Sequence, residues 1–255
     1  MINIYSSQEI KILQQGGKRL AEIINAVCEK VASGVSTLEL EILARTLIEK
    51  NGDKPSFLGY TPSGAKRPYP AATCISINEE IIHGIPNERP KILKEGDIVT
   101  IDIGLIHEKL YTDSARTVGV GTLDQVSKEL LRATARALDN GIKAAYYGGH
   151  VGDIGHAIET FVDETPFSIA EDLCGHGVGK NVHEDPYVPN RGRKGDGPLL
   201  KEGMDLAIEP MLNAGTAKVV LAEDGYTYRT ADGKRSAHFE HTIAITTGEP
   251  LILTE

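Results

Sequence analysis

Two aspartates, Asp102 and Asp113, interrupt a run that is otherwise apolar and β-branched. Ile98, Val99, Ile101, Ile103 and Leu105 give residues 94–116 the character of a β-hairpin. With His107-Glu108 as its turn, positions 102 and 113 would stand opposite each other, with Cβ atoms about 5 Å apart on one face. Two bare carboxylates that close repel, and they need a proton or a cation between them. One reading supplies a metal ion. The other leaves both acids facing water on a half-exposed hairpin.

Three more residues could complete such a site. Glu209 lies in Ala207-Ile208-Glu209-Pro210-Met211, and Glu240 lies in Ala237-His238-Phe239-Glu240-His241. His176 stands between glycines in Gly175-His176-Gly177-Val178-Gly179, which permit close backbone approach. Four carboxylates and one imidazole suit a pair of divalent ions about 3.5–4 Å apart. Mostly oxygen ligation with one nitrogen favours Mn2+, Fe2+ or Co2+, and Zn2+ is also compatible.

The bulk numbers narrow the function class. At 255 residues the chain is one large domain or two small ones. A net charge of −9 argues against broad binding to nucleic acid or an anionic membrane. The basic cluster Arg191-Gly192-Arg193-Lys194 reads as a solvated loop. Cys28, Cys74 and Cys174 form no CxxC, which suits a reducing compartment and excludes a thiolate zinc cage. With no signal peptide and no apolar run of membrane-spanning length, the expected location is the cytoplasm.

Helices and strands must position these groups. Ser6-x-x-Glu9 and Ser36-x-x-Glu39 are capping boxes. The first opens a helix expected to run to Gly34, and the second opens one expected to run to Gly52. Residues 54–73 read as a loop carrying Tyr60 and Tyr69, and Cys74–Ile77 reads as a strand. Helices return at residues 123–147 and 154–164, the latter capped by Asp153. Strands are expected at residues 173–178, 206–212 and 237–246. Residues 94–102 align without gaps on residues 201–209, and the acid Asp102 falls on the acid Glu209. This predicts an α+β fold with internally duplicated helix-helix-strand halves, about 1–121 and 122–255, in one domain.

At this point the chain resembles a known family, the type I methionine aminopeptidases with the pita-bread fold. The resemblance rests on Cys74-Ile75-Ser76-Ile77-Asn78, His83-Gly84-Ile85-Pro86, Ile101-Asp102, Thr112-Asp113, Gly175-His176-Gly177-Val178-Gly179, His183-Glu184-Asp185-Pro186, Ile208-Glu209-Pro210-Met211 and Glu240-His241-Thr242-Ile243. Each motif alone is weak, but the set in this order is specific. The resemblance implies a curved antiparallel sheet and removal of the initiator methionine when the second residue is small. It implies Asp102, Asp113, His176, Glu209 and Glu240 as ligands of a dinuclear site, with Asp113 and Glu240 bridging. Glu209 would be the general base. His183 would stabilise the carbonyl oxyanion, and His83 would hydrogen-bond the scissile amide nitrogen or assist the departing amine.

The resemblance also implies that Tyr60, Tyr69 and Cys74 form walls of the methionine pocket, with Val182 nearby. A monovalent cation would bind the backbone carbonyls of Asn78 and Ser236. The substrates would be nascent polypeptide N-termini, met at the ribosome, and the chain would be a monomer. Two features depart from the family pattern. The link at residues 61–68 is long, and Tyr226 replaces a rim tryptophan.

Two rivals stay open. One is a hydrolase of the same fold acting before proline or on a small amidine. The other is a binding protein that has lost its metals. His107, His150, His156, His238 and His241 read as surface or structural residues, although His238 would share the strand face of Glu240.

Overall fold

A computed structural model describes residues 1–255. Its first half runs α1 (Ser7–Lys30), α2 (Thr37–Lys50), β1 (Lys54–Pro55), β2 (Thr73–Ile77), β3 (Glu80–Ile82), β4 (Ile98–His107) and β5 (Leu110–Gly119). Its second half runs α3 (Gln125–Ala144), α4 (Val151–Val162), β6 (Ser168–Ile169), β7 (Cys174–Gly177), β8 (Glu184–Pro189), β9 (Asp205–Ile208) and β10 (Met211–Asn213). Five short strands close the chain: β11 (Val219–Leu221), β12 (Tyr228–Thr230), β13 (Ser236–His238), β14 (Glu240–Ala244) and β15 (Leu251–Ile252).

Both capping boxes form as the sequence predicts. The Ser6 N–H donates to the Glu9 carboxylate at 2.8 Å and the Ser36 N–H donates to Glu39 at 2.9 Å. The helices end earlier than their glycines, at Lys30 and Lys50, because turns intervene before Gly34 and Gly52. Asp124, not Leu123, starts α3 by accepting from the Ser127 N–H at 2.8 Å. Asp153 does not precede its helix. It lies in the first turn of α4 and reaches back to the His150 N–H at 2.7 Å.

The main sheet has nine antiparallel strands in the order β1-β4-β5-β14-β9-β7-β8, with β2 on β4 and β15 on β14. Each helix pair covers one part of it. Leu20, Ile24, Leu40 and Ile48 pack on Val99, Ile101, Ile103 and Leu105. Leu130, Leu138, Ile154 and Ile158 pack on Leu206, Ile208 and Ile243. Each such fully buried side chain contributes about 1.5–3 kcal/mol. Because β4 buries Ile101 and Ile103 under helices, the intervening Asp102 points to the opposite face.

The hairpin register corrects the sequence expectation. The turn is Glu108-Lys109, so His107 faces Leu110, Asp102 faces Ala115 and Gly104 faces Asp113. The two acids are diagonal neighbours, not direct partners. They still share one face, since moving the turn by one residue moves every pairing by two. Glu108 (φ 45°) and Lys109 (φ 72°) are both left-handed, the conformation a two-residue type I′ hairpin turn requires.

Two strands expected to be continuous are broken. β9 ends before Glu209-Pro210, and Phe239 separates β13 from β14. Proline at 210 cannot donate to a ladder, which explains the first break. Both breaks fall beside an acid, Glu209 or Glu240, that turns toward the same cavity.

Candidate metal centre and active site

Four strands and one strand end supply the polar floor of a single cavity. Asp102 comes from β4, Asp113 from β5, His176 from β7, Glu240 from β14 and Glu209 from the end of β9. Their exposures run only from 3 % to 8 %. The donor atoms of Asp113, His176 and Glu240 lie within 4.8 Å of one another.

The seam between β5 and β14 joins contributions from sequence-distant segments. Glu240 pairs with Ala115 and His241 with Ser114. Across it, the Asp113 N–H donates to Thr242 Oγ1 at 2.9 Å, and that hydroxyl donates back to the Asp113 carbonyl at 2.6 Å. The Ser114 hydroxyl donates to the Glu240 carbonyl at 2.7 Å. Backbone, not acid side chains, carries these bonds, which leaves the carboxylates free to face the cavity.

Glycines bring β7 into place. A Cβ on Gly175 would sit 2.2 Å from the Ala207 carbonyl oxygen, and one on Gly177 would sit 2.3 Å from that of Asp185. The His176 ring between them is oriented by its Nδ1, 2.9 Å from the Gly177 carbonyl. A carbonyl can only accept, so Nδ1 carries the proton and Nε2 presents a lone pair. That lone pair lies 3.4 Å from Glu209 Oε1.

The floor is electrostatically unfinished. Asp102 Oδ1, Asp113 Oδ1, Glu240 Oε1 and both ring nitrogens of His238 are buried without a hydrogen-bond partner. Burial, reinforced for Asp102, Glu209 and Glu240 by neighbouring carboxylates, pushes these acids up; Asp113 rises to about 7. Burial, with nearby His183 adding to it, holds His176 down to about 3, so its imidazole is neutral. Neutral imidazole, carboxylate oxygens and unpaired acceptors facing one point are the donor set of a hard or borderline divalent cation. A cation there would supply the missing counter-charge, so the residues fit such a group.

Around the floor stands an aromatic wall. Phe57, Tyr69, Cys74, Val182 and Tyr226 form one buried cluster. Tyr69 and Tyr226 meet edge to face at 5.1 Å, and the Tyr69 hydroxyl donates to the Thr73 and Gly84 carbonyls at 3.1 and 3.0 Å. Tyr226 donates to the Arg67 carbonyl, which ties the long 61–68 link to the rim. Gly104 allows the wall to close, since a Cβ there would overlap Ser56 Oγ at 1.9 Å and the Phe57 ring at 2.7 Å. Tyr60, Pro62 and Ile82 also line the cavity.

His83 and His183 stand between floor and wall. His183 is exposed at the mouth, its Nδ1 2.8 Å from the Tyr60 hydroxyl and its ring 4.4 Å from that of His176. His83 has a left-handed backbone (φ 58°) and packs edge-on to Tyr228. Burial holds His83 down to about 4. The structure thus brings all ten expected site residues to one cavity.

His238 is a correction. It is neither a surface nor a merely structural residue, but a 1 %-exposed wall of this cavity. Its two-residue spacing from Glu240 was the available signal. His107 is structural, buried with its Nδ1 2.8 Å from Asp53, and His241 is partly buried against Thr254. Phe57, Pro62 and Ile82 had no signal beyond their hydrophobicity.

A buried, acid-floored cavity on this helix-backed sheet defines a metal-dependent hydrolase, and the chain belongs to metallopeptidase family M24, whose model matches residues 11–247. Within that family, relatives that match over the whole chain include methionine aminopeptidases. The methionine aminopeptidase of Aquifex aeolicus is 46 % identical over 258 residues, covering 100 % of this chain and 99 % of that one. The crystal structure of methionine aminopeptidase from Thermotoga maritima matches with a TM-score of 0.95 at 42 % identity, over 100 % of both chains. The sheet with its two helix pairs is therefore the pita-bread fold. The prolidase from Pyrococcus horikoshii matches at TM-score 0.75 and 24 % identity, and this chain covers 63 % of it; that likeness is of fold alone.

Proposed function

We propose that this chain is a methionyl aminopeptidase. It would hydrolyse the first peptide bond of nascent polypeptides that begin with methionine followed by a small residue. The observation that carries this reading is the pairing, in one cavity, of a cation-hungry acidic floor with an apolar aromatic wall. A thioether fills such a slot and makes favourable contacts with aromatic edges.

Asp102, Asp113, His176, Glu209 and Glu240 would hold two divalent ions, with Mn2+, Co2+, Fe2+ and Zn2+ as the compatible set. Bound there, the ions would supply Lewis acidity and lower the pKa of a water molecule. Glu209 takes the water's proton and passes it to the departing amine. His183 donates to the carbonyl oxygen of the scissile bond, and Tyr60 holds its ring. His83 hydrogen-bonds the scissile amide nitrogen. Tyr69, Cys74 and Tyr226 exclude water from around the side chain.

The Asn78 carbonyl accepts the Ser236 N–H at 2.8 Å, and a monovalent cation beside these two residues would brace the same segment. No helix is long and apolar enough to cross a membrane. A monomer working in the cytoplasm on chains leaving the ribosome fits this reading. It is tested with metal-free protein reloaded with Mn2+ or Co2+. Release of methionine from Met-Ala peptides, with two ions bound per chain, supports it. Cleavage of Xaa-Pro peptides instead would favour the prolidase-like rival, and failure to retain any ion would favour a binding module.

A further inference from the structure

One polar side chain in the cavity has no part in the reaction outlined above. His238 ends β13, and its backbone is fixed on both sides. Its N–H donates to Thr117 Oγ1 at 2.9 Å, and its carbonyl accepts from the same hydroxyl at 2.8 Å. The ring is therefore aimed, not merely packed. It is 1 % exposed, and neither Nδ1 nor Nε2 has a hydrogen-bond partner. Burying an imidazole unpaired is costly, so the position asks for a function. Its Nε2 lies 3.5 Å from Glu209 Oε2 and 3.8 Å from Glu240 Oε2.

Glu209 is the acid that needs such a neighbour. It lies just past β9, and no hydrogen bond within the protein holds its carboxylate. Two imidazoles bracket it, with His176 Nε2 beside Oε1 and His238 Nε2 beside Oε2. They are not equivalent. The His176 proton is committed to the Gly177 carbonyl through Nδ1, so its Nε2 offers only a lone pair to Oε1. Two lone pairs facing at 3.4 Å do not bond each other, so both atoms would be free to take a cation. His238 alone of the two has a proton to offer, and it lies on the Oε2 side.

We propose that His238 is a positioning residue, whose Nε2–H hydrogen-bonds Oε2 of Glu209 and fixes the carboxylate that carries the proton. This rests on the reading of Glu209 as ligand and base. A small rotation of the Glu209 side chain would bring the 3.5 Å contact to hydrogen-bond length. Partners of this kind, one step behind the ligands, typically change metal affinity or activity 10- to 100-fold when removed.

The test compares His238→Leu, which removes the donor but keeps bulk, with His238→Gln, which restores an N–H at similar reach. For Mn2+-loaded protein, His238→Leu is expected to lower kcat on a Met-Ala peptide about 10- to 100-fold. KM should stay within about twofold, while affinity for the more weakly held ion, measured by calorimetric titration of metal-free protein, falls about tenfold. His238→Gln should recover most of both. Wild-type kcat and wild-type metal affinity in His238→Leu would overturn the proposal. So would a shifted visible spectrum of the Co2+-loaded Gln variant, which would make His238 a direct ligand.

A measurement on the wild type covers the case in which a variant fails to fold. In the Zn2+-loaded protein, a long-range 1H–15N spectrum should show His238 protonated at Nε2. Protonation at Nδ1 instead would sink the idea. Should loaded wild type neither bind ions nor release methionine, the functional reading itself fails and the proposal falls with it. That outcome is visible before any variant is made.

Discussion

Two groups of buried acids in this chain look alike by burial and differ in their partners. Glu41, on α2, accepts the Ala72 N–H at 2.7 Å, the Thr73 N–H at 3.0 Å and the Thr73 hydroxyl. Asp53 meets Arg19 at 3.1 Å and His107 at 2.8 Å. Asp102, Asp113 and Glu240 are as buried, yet each keeps an oxygen with no partner. The two groups come together at one strand, since β4 carries both Asp102 and His107, the partner of Asp53. The fold can satisfy a buried acid where it needs one for structure. Where it leaves several acids unsatisfied around one cavity, it is holding a place for a charge from outside.

The sharpest way to break that contrast is to neutralise one acid of each kind. Asp113→Asn should cost more activity than removal of an outer partner does, above about a hundredfold, with loss of bound ion by metal analysis. Asp53→Asn should leave turnover of Met-Ala peptides nearly intact. Equal losses from both would erase the distinction.

Stability should separate the same groups by sign. Glu41→Gln leaves buried N–H groups poorly matched, and should cost about 3 kcal/mol, a drop in Tm of about 6–12 °C. Asp102→Asn removes an uncompensated charge from the metal-free protein. Its Tm should rise by a few degrees, a gain of about 1–2 kcal/mol. Calorimetry of chelator-treated samples checks both; a Tm loss in Asp102→Asn would mean the acid is already satisfied.

A third comparison uses pH. His83 is held at about 4 when folded, against about 6.5 when unfolded, so the unfolded chain binds the extra proton. Its contribution is fully present above about pH 6.5 and is lost as pH falls toward 4. In metal-free protein, urea unfolding of wild type should lose about 2–3 kcal/mol more than His83→Gln between pH 7 and pH 4. Parallel slopes would show that His83 meets water freely.

The smallest effect belongs to the mouth. Tyr60→Phe removes the hydroxyl 2.8 Å from His183 Nδ1, and kcat should fall about three- to tenfold with metal content unchanged.

The floor was more legible than the wall for a physical reason. An acid inside a β-branched run violates a local pattern, and strand alternation fixes its face without knowledge of the rest of the chain. That is why Asp102 and Asp113 were found although the turn was misplaced by one residue. Glu108-Lys109 carries none of the Asn-Gly chemistry that usually marks a type I′ turn, so nothing local could place it. Wall residues such as Phe57, Pro62 and Ile82 break no pattern, and Phe57 reaches the sheet through the pairing of β1 with β4 and the close approach at Gly104. The resemblance of motifs supplied Tyr60, Tyr69 and Cys74, which periodicity could not. His238 lay between the two cases. Its two-residue spacing put it on the strand face of Glu240, but nothing local distinguishes an imidazole that lines a cavity from one that packs as structure.

The seam at which Thr242 clasps Asp113, 129 residues away, has a consequence for timing. Each new copy of the chain must be made at least as far as β14 before its own acids can meet, since contacts so far apart in sequence close late in folding. A half-made molecule cannot gather metal or cut anything nearby. Activity waits on the making of β14, a delay enforced by nothing more than where two strands lie side by side.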